Sequence, residues 1–343
     1  MFFPITKKKI YFDSARSGGL SSELSKWRKN HEKLFLKEGS LFRDDNNKLI
    51  EEVRKGVSKF IGSVNNYTFL TPSFSLGFQS LLSFLDPKLN FLVLKEDYPS
   101  IINGLKLNNF NYEVLENSFD IEKKIIAAIK KSPIDVLAVS IVQYTNGIFL
   151  SMDFFKKLKN LYPDLLIIAD GTQFCGTRSF DFDESKIDVM ISSGYKWVFG
   201  GYGNGFVLIR ETLKRFITKN KIQKFNSSIL KNIFEPGNLD TLNFGSLLFS
   251  INLISKYGLD KIEKKISSLS KYAKQQFLKN DLLDNIAKKR TNHSNIFCIK
   301  GDKNLYIKLL NKGIICSMRG SGIRVSFSFF NTKKQINELL KFF

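Results

Sequence analysis

From about residue 50 to residue 255 the chain alternates short, wholly apolar runs with stretches whose apolar residues recur at helical spacing. An apolar run of roughly four to eight residues, bounded by turn residues, reads as a strand buried on both faces. Such runs fall at 91–94, 112–115, 135–142, 165–169, 189–192 and 205–210. Between them, 121–131 and 153–161 carry the amphipathic pattern of helices that cover a sheet. The alternation predicts an α/β domain with a mainly parallel sheet flanked by helices. A long helical stretch from 259 to about 283 then leads into a different unit. There 295–300, 314–318 and 323–327 read as strands and 303–311 and 332–342 as helices, which predicts a small α+β domain. We therefore expect a large domain over 20–258 and a small one built from 1–19 and 259–343, with no internal repeat and no disordered linker.

Two of the predicted strands end in residues that carry chemistry. Asp170 closes the run Leu165-Leu166-Ile167-Ile168-Ala169, and Lys196 follows the run 189–192 within Ser193-Gly194-Tyr195-Lys196-Trp197. A glycine-rich tract, Gly200-Gly201-Tyr202-Gly203-Asn204-Gly205, comes next. In an open parallel sheet the carboxyl ends of the strands are where ligands bind. An amine and a carboxylate placed there suit pyridoxal phosphate (PLP), which needs a lysine for its aldehyde and an acid beside its ring nitrogen.

Composition narrows the function classes. The apolar and charged fractions, 43% and 25%, are those of a soluble globular protein. No apolar stretch is long enough to span a bilayer. The start, Met1-Phe2-Phe3-Pro4-Ile5-Thr6-Lys7-Lys8-Lys9, has its charges after its apolar piece, the wrong order for a signal peptide. Cys175, Cys298 and Cys316 have no paired spacing and point to a reducing compartment, so a cytoplasmic enzyme is expected. The net charge of +21 comes from lysines scattered over helix faces, as in Phe154-Phe155-Lys156-Lys157-Leu158-Lys159. It implies neither a specific nucleic-acid partner nor a membrane partner. His31 and His293 are too few and too far apart for a metal site or a histidine triad.

The motifs run in order from Tyr11-Phe12-Asp13-Ser14-Ala15 to Ile323-Arg324-Val325-Ser326. Together they resemble the class V aminotransferase and cysteine desulfurase family, a branch of the fold-type-I PLP enzymes. The resemblance implies PLP as cofactor, Lys196 as the lysine that binds it and moves the substrate proton, and Asp170 as partner of the ring nitrogen. Gln173 matches the residue that contacts the ring hydroxyl. Phe74 and Ser75, in Thr71-Pro72-Ser73-Phe74-Ser75-Leu76-Gly77-Phe78, match the phosphate-binding turn at a helix start, with Ser73 in place of the usual glycine. Ser193 would add a phosphate contact, and Tyr195 stands where desulfurases carry a histidine. Tyr98, in Glu96-Asp97-Tyr98-Pro99-Ser100, matches the ring that lies on the cofactor face. Gln143, ahead of Asn146, is the expected polar contact from Gln143-Tyr144-Thr145-Asn146-Gly147. Asn238, after Gly237, would reach the phosphate of a neighbouring subunit, which implies a homodimer with shared sites. Arg324, with Arg16 as second candidate, would hold the carboxylate of an amino-acid substrate.

The expected activity is that of an aminotransferase acting on an amino acid or related amine. The alternatives are an epimerase or a C–S or β-elimination lyase. A cysteine desulfurase is less favoured, because it needs a nucleophilic thiol on a mobile loop and Cys316 falls inside the strand-like 314–318.

Overall fold

The computed structural model describes residues 1–218, 222 and 224–343. Its strands are, in chain order, β1 (Ile10–Tyr11), β2 (Tyr67–Leu70), β3 (Asn90–Leu94), β4 (Asn111–Leu115), β5 (Val136–Ser140), β6 (Leu166–Asp170), β7 (Val189–Ser193), β8 (Gly205–Ile209), β9 (Ile296–Ile299), β10 (Ile314–Ile315), β11 (Ser317–Arg319) and β12 (Gly322–Ser326). β2 to β8 form a seven-stranded sheet in the order β2, β8, β7, β6, β5, β3, β4. β8 alone runs against its neighbours β2 and β7, and the other pairings are parallel.

The apolar runs are continuous because the sheet is covered on both faces. Leu137, Val139, Ile167 and Ala169 enter one core cluster, whereas Val136, Ala138, Leu166 and Ile168 enter the other. Successive side chains on a strand alternate sides, so a strand buried on both faces has no polar positions left. β4 departs from the expectation of a buried strand. It is the sheet edge, and its residues are half-buried or exposed.

Helices Ser22–Glu38, Asn46–Ile61 and Thr241–Tyr257 pack beside the sheet. The second presents Ile50, Val53, Val57 and Ile61 to the core at helical spacing and stops at Gly62, whose φ of +63° closes the helix in the left-handed region. The long C-terminal helix, Leu259–Lys279, ends before residue 283, and the turn beyond it leads to the short helix Asn285–Lys289. β11, β12 and β9 make a small antiparallel sheet. The stretch 314–318 is not one strand. β10 pairs in parallel with β1 and β11 pairs with β12, so the backbone changes partner at Cys316. No helix among the described residues is long and apolar enough to cross a membrane.

The edge at β2 is tied down by charge. Glu235, nearly inaccessible, accepts two hydrogen bonds from Arg54 Nε and one from its Nη2, and also takes the Leu70 backbone N–H at 2.7 Å. Removing the cation would leave that carboxylate buried without its partner. Arg54→Ala is expected to cost about 3 to 5 kcal/mol, read as a lowered midpoint in denaturant unfolding. A loss below about 1 kcal/mol would mean that solvent already screens the pair.

Candidate active site

Three adjacent strands end in polar residues along one edge of the sheet. Ser193 closes β7, Asp170 closes β6 and Ser140 closes β5, with Ser140 opposite Asp170 in the pairing. Asp97 and Tyr98 follow β3, the next strand over. The edge is the carboxyl end of the parallel strands, where helix starts and free backbone groups collect. A pocket opens there, lined by Phe74, Tyr98, Ser140, Tyr144, Asp170, Thr172, Gln173, Ser193, Tyr195 and Lys196.

Lys196 lies in the connection that reverses the chain from β7 into β8, and only 5% of its surface is exposed. Its Nζ sits 5.8 Å from the centre of the Tyr98 ring and 5.5 Å from that of Tyr195. Burial holds the ammonium below the ordinary lysine range, with Arg324 and Arg319 adding to the shift and Asp170 opposing it. Asp170 is driven the other way. Burial raises its carboxyl, partly offset by hydrogen bonds from Thr172, whose N–H donates to Oδ1 at 2.8 Å, and by Lys196.

Contacts from three directions fix the backbone under Lys196. Gly18 N–H donates to the Tyr195 carbonyl at 2.9 Å, and a Cβ on Gly18 would stand 2.1 Å from the Lys196 carbonyl oxygen. Gln173 Nε2 donates to the Ala15 carbonyl, and its Oε1 accepts from Trp197 Nε1, both at 2.8 Å. Ser250 Oγ donates to the Val198 carbonyl at 2.6 Å. Phe199 holds a φ of +57°, a conformation that costs on the order of 1 kcal/mol or more outside glycine. Its ring is packed against Phe3 and Phe329, which retains it there.

At the helix Phe74–Leu82 the first amides meet serines. Ser73, extended at φ −163°, caps Leu76 N–H, and Ser193 Oγ accepts from Phe74 N–H at 2.8 Å. An extended φ suits any residue, so serine stands in the turn without strain and adds a cap. Ser75 Oγ shares a 2.7 Å hydrogen bond with Ser100 and lies outside the pocket lining. Tyr98 meets Phe74 and Tyr144 edge to face, at 5.8 and 5.9 Å between ring centres. Buried Asp97 sets its position, accepting from Tyr98 N–H at 2.7 Å and Ser140 N–H at 2.9 Å.

The other expected residues divide. Arg324, 2% exposed, donates from Nη1 to the Tyr144 carbonyl at 2.8 Å, while Nη2 lies 3.5 Å from Asp13 Oδ1. Its Nε is buried without a partner. Arg16 is exposed and does not line the pocket. Gln143 is fully buried outside the pocket lining, where its side chain acts on the Asp97 carboxylate, and the neighbouring Tyr144 lines the pocket instead. Asn238 lies away from its own chain's pocket and accepts from Arg43 Nη2 at 3.1 Å.

Sequence reasoning passed over Thr172, Tyr144, Asp97, Asp13 and Arg319. Thr172 Oγ1 accepts from Ser193 N–H at 3.1 Å, which links the ends of β6 and β7. Asp97, Tyr144, Asp13 and Thr172 (in Ala169-Asp170-Gly171-Thr172-Gln173) stood within motifs already singled out, whereas Arg319 carried no signal beyond proximity to Arg324. Among the described residues no cluster of histidine, cysteine and carboxylates has metal-binding geometry.

Comparison with known proteins decides the family. The class-V aminotransferase profile matches residues 20–339. The chain belongs to that family. A probable cysteine desulfurase of Ureaplasma parvum serovar 3 is 24% identical over 217 residues, 54% of this chain and 52% of the relative. The cysteine desulfurase SufS of Plasmodium falciparum is 29% identical over 161 residues, 44% of this chain and 28% of that protein. The chain thus aligns with about half, or less, of the length of these relatives. Among solved structures, a cystine C–S lyase, C-DES, in complex with cysteine persulfide superposes with a TM-score of 0.87 at 16% identity, covering 99% of this chain and 98% of its own. At that identity the likeness is one of fold. A variant of the same lyase carries glycine covalently linked to its PLP cofactor. PLP, expected from the sequence, is the cofactor of the family. The buried Lys196, the acid at Asp170, the ring of Tyr98 and the serine-lined helix start are the donor set that such a group requires.

The electrostatics of Lys196 generate a prediction with a definite sign. Addition of an amine to an aldehyde needs the neutral amine. In cofactor-free protein the rate of adduct formation with pyridoxal should therefore rise with pH through an inflection below the ordinary lysine range. Arg324→Ala removes a cation that disfavours the ammonium and should move the inflection up. Asp170→Asn removes an anion that favours it and should move the inflection down. Stopped-flow absorbance reads both shifts, and an inflection unmoved in both variants would contradict the arrangement. In the same assay Gly18→Ala, by pushing the Lys196 backbone, should slow adduct formation at every pH at least tenfold.

Proposed function

We propose that the protein is a PLP-dependent C–S lyase acting on an amino acid with sulfur on its β-carbon, the elimination alternative rather than transamination. The relatives named as cysteine desulfurases and the cystine C–S lyase of the same fold favour sulfur chemistry over transamination, and one observation favours elimination over transfer of sulfur to the protein. Cys175 and Cys316 are buried and Cys298 nearly so, and none of them lines the Lys196 pocket. Burial pushes all three thiols up, to about 12, about 12 and about 11 for Cys175, Cys316 and Cys298. A desulfurase passes sulfur to a protein thiolate, and neutral buried thiols are poor acceptors. An elimination needs none, since the sulfur leaves on a small molecule.

The residues then take defined roles. PLP supplies an electron sink beside the substrate α-carbon. Asp170 would keep a proton on its ring nitrogen, and Tyr98 would cover its ring face. Ser193 and the start of the helix Phe74–Leu82, whose dipole favours an anion, would hold the phosphate. Arg324, outside the pocket lining but held to the carbonyl of the lining residue Tyr144, would offer its remaining N–H groups to the substrate carboxylate. Lys196, poised below the ordinary lysine range, takes the α-proton, and the β C–S bond breaks with both electrons leaving on sulfur.

The chain also presents surface suited to a second copy. Leu36, Phe35 and Leu41 are 87%, 58% and 70% exposed, in and just after the helix Ser22–Glu38. Asn238 and Phe35 share one apolar-lined groove. A homodimer would cover this face and bring Asn238 toward the partner's site.

With L-cystine as substrate, wild type should release pyruvate and ammonia while the cofactor stays in its aldehyde-derived form. Accumulation of the pyridoxamine form with a keto acid would instead restore the aminotransferase reading. Cys316→Ala should leave turnover unchanged, whereas loss of activity with persulfide on the wild-type protein would make it a desulfurase. Lys196→Ala should abolish turnover. Arg324→Ala should lower kcat/KM by more than about thirtyfold, on the order of 2 to 5 kcal/mol, without loss of bound PLP.

A further inference from the structure

A second cleft, of about 330 Å³, lies away from the Lys196 pocket, between the helix Leu259–Lys279, the segment 291–297 and two loops of the large sheet. No acidic side chain lines it, and three cations do: Arg178, Lys271 and Lys274. Arg178 is the unusual one. Its guanidinium stacks over the Phe149 ring at 4.3 Å, yet it makes no hydrogen bond or ion pair among the described residues, and its Nε is buried without a partner. The nearest carboxylate, Glu263, is taken up by the Ser179 N–H at 3.0 Å and influences Arg178 only through space. Lys274 donates to the Arg290 carbonyl and retains its other N–H groups. Arg290 itself adds no free charge, being paired with Glu122. His293 stacks on Phe297, and burial keeps its imidazole neutral.

A half-buried guanidinium that no ion pair offsets is costly, and a planar fork with open donors is the group that recognises phosphate. We propose that this cleft is a binding site for a small phosphate-bearing anion, distinct from the cofactor site. Its volume falls in the range of small-ligand pockets. The site also has a physical connection to the pocket. One loop runs from Tyr144, which lines the pocket, to Phe149 in the cleft. The other runs from Asp170, Thr172 and Gln173 to Arg178. The first is stitched to the cleft wall where Ser294 N–H donates to the Gly147 carbonyl at 3.0 Å. A bound anion would therefore tie the C-terminal helix to both loops.

The test is calorimetric titration of pyrophosphate and inorganic phosphate into the PLP-loaded protein freed of excess cofactor, so that the helix start at Phe74 is already filled. Binding is read directly, whatever reaction the Lys196 site carries. Wild type should bind pyrophosphate saturably, with at least tenfold weaker affinity in Arg178→Gln and in Lys271→Glu. Lys271 is exposed, so its variant decides the matter should Arg178→Gln fold poorly. Lys264→Glu, on the same helix outside the cleft, should retain wild-type affinity. No binding at millimolar pyrophosphate would overturn the proposal. So would unchanged affinity in Lys271→Glu, or an equal loss in Lys264→Glu that marks a general charge effect.

Discussion

An ammonium and a carboxylate sealed into one pocket each lose several kcal/mol of hydration, and the surroundings must make good that loss. For Lys196 and Asp170 the compensation is incomplete, and that incompleteness is useful. Asp170 receives hydrogen bonds from Thr172, and Lys196 has two aromatic faces at cation–π distance, but two arginines push against its charge. The result is an amine that gives up its proton more readily than an exposed lysine and an acid that holds its proton more firmly. Those are the properties a buried lysine needs for addition to a carbonyl and a ring-facing acid needs to share a proton. Water entering the pocket would erase both shifts, so the packing around residues 193–200 serves the chemistry.

The N-terminal segment supplies much of that packing, and it joins the two sheets in doing so. β1 pairs with β10, Asp13 bridges to Ser326, Ala15 N–H donates to Ser326 Oγ at 3.0 Å, and the Ala15 carbonyl accepts from Gln173. Three residues after Ala15, Gly18 comes against the backbone of Lys196. One short stretch thus holds the strand of Arg324 and the loop of Lys196 in a fixed relation. Gln173 is part of this staple, since both ends of its amide are engaged by protein. Only its second Nε2 proton is left for a further acceptor.

What could be read beforehand followed the strength of each local signal. Strands β5, β6, β7 and β8 are buried on both faces, and burial on both faces writes an unbroken apolar run. Asp170 and Lys196 were legible because such runs end at them. β2 was missed: Tyr67-Thr68-Phe69-Leu70 is short, and the neighbour that completes its pairing, β8, lies far along the chain. The stretch 314–318 kept the composition of one strand, yet its backbone changes partner at Cys316, a tertiary fact that no local pattern contains. The site showed the same split. Tyr98 follows from its motif, but Asp97, which fixes it, became recognisable only through its hydrogen bonds to Ser140. The choice read from the sequence lay between Gln143 and Asn146, yet neither lines the pocket; Tyr144, beside Gln143 in the turn after β5, does so instead.

Arg324 draws these strands of argument together. Asp13 is a weak counter-ion for it at 3.5 Å, the Tyr144 carbonyl takes one N–H, and Nε has no acceptor. The guanidinium is therefore a nearly uncompensated charge within electrostatic reach of Lys196, and it disfavours the ammonium there. A carboxylate arriving at Arg324 would neutralise that influence. The sign is fixed: with the cation offset, the proton affinity of Lys196 rises. Under the lyase reading, the amine is easiest to deprotonate while the substrate carboxylate is absent, when it must react as a nucleophile. It becomes a stronger base once the substrate is anchored, when it must take the α-proton. Under that reading a single buried arginine left short of partners would couple recognition of the substrate to the two successive tasks of the lysine.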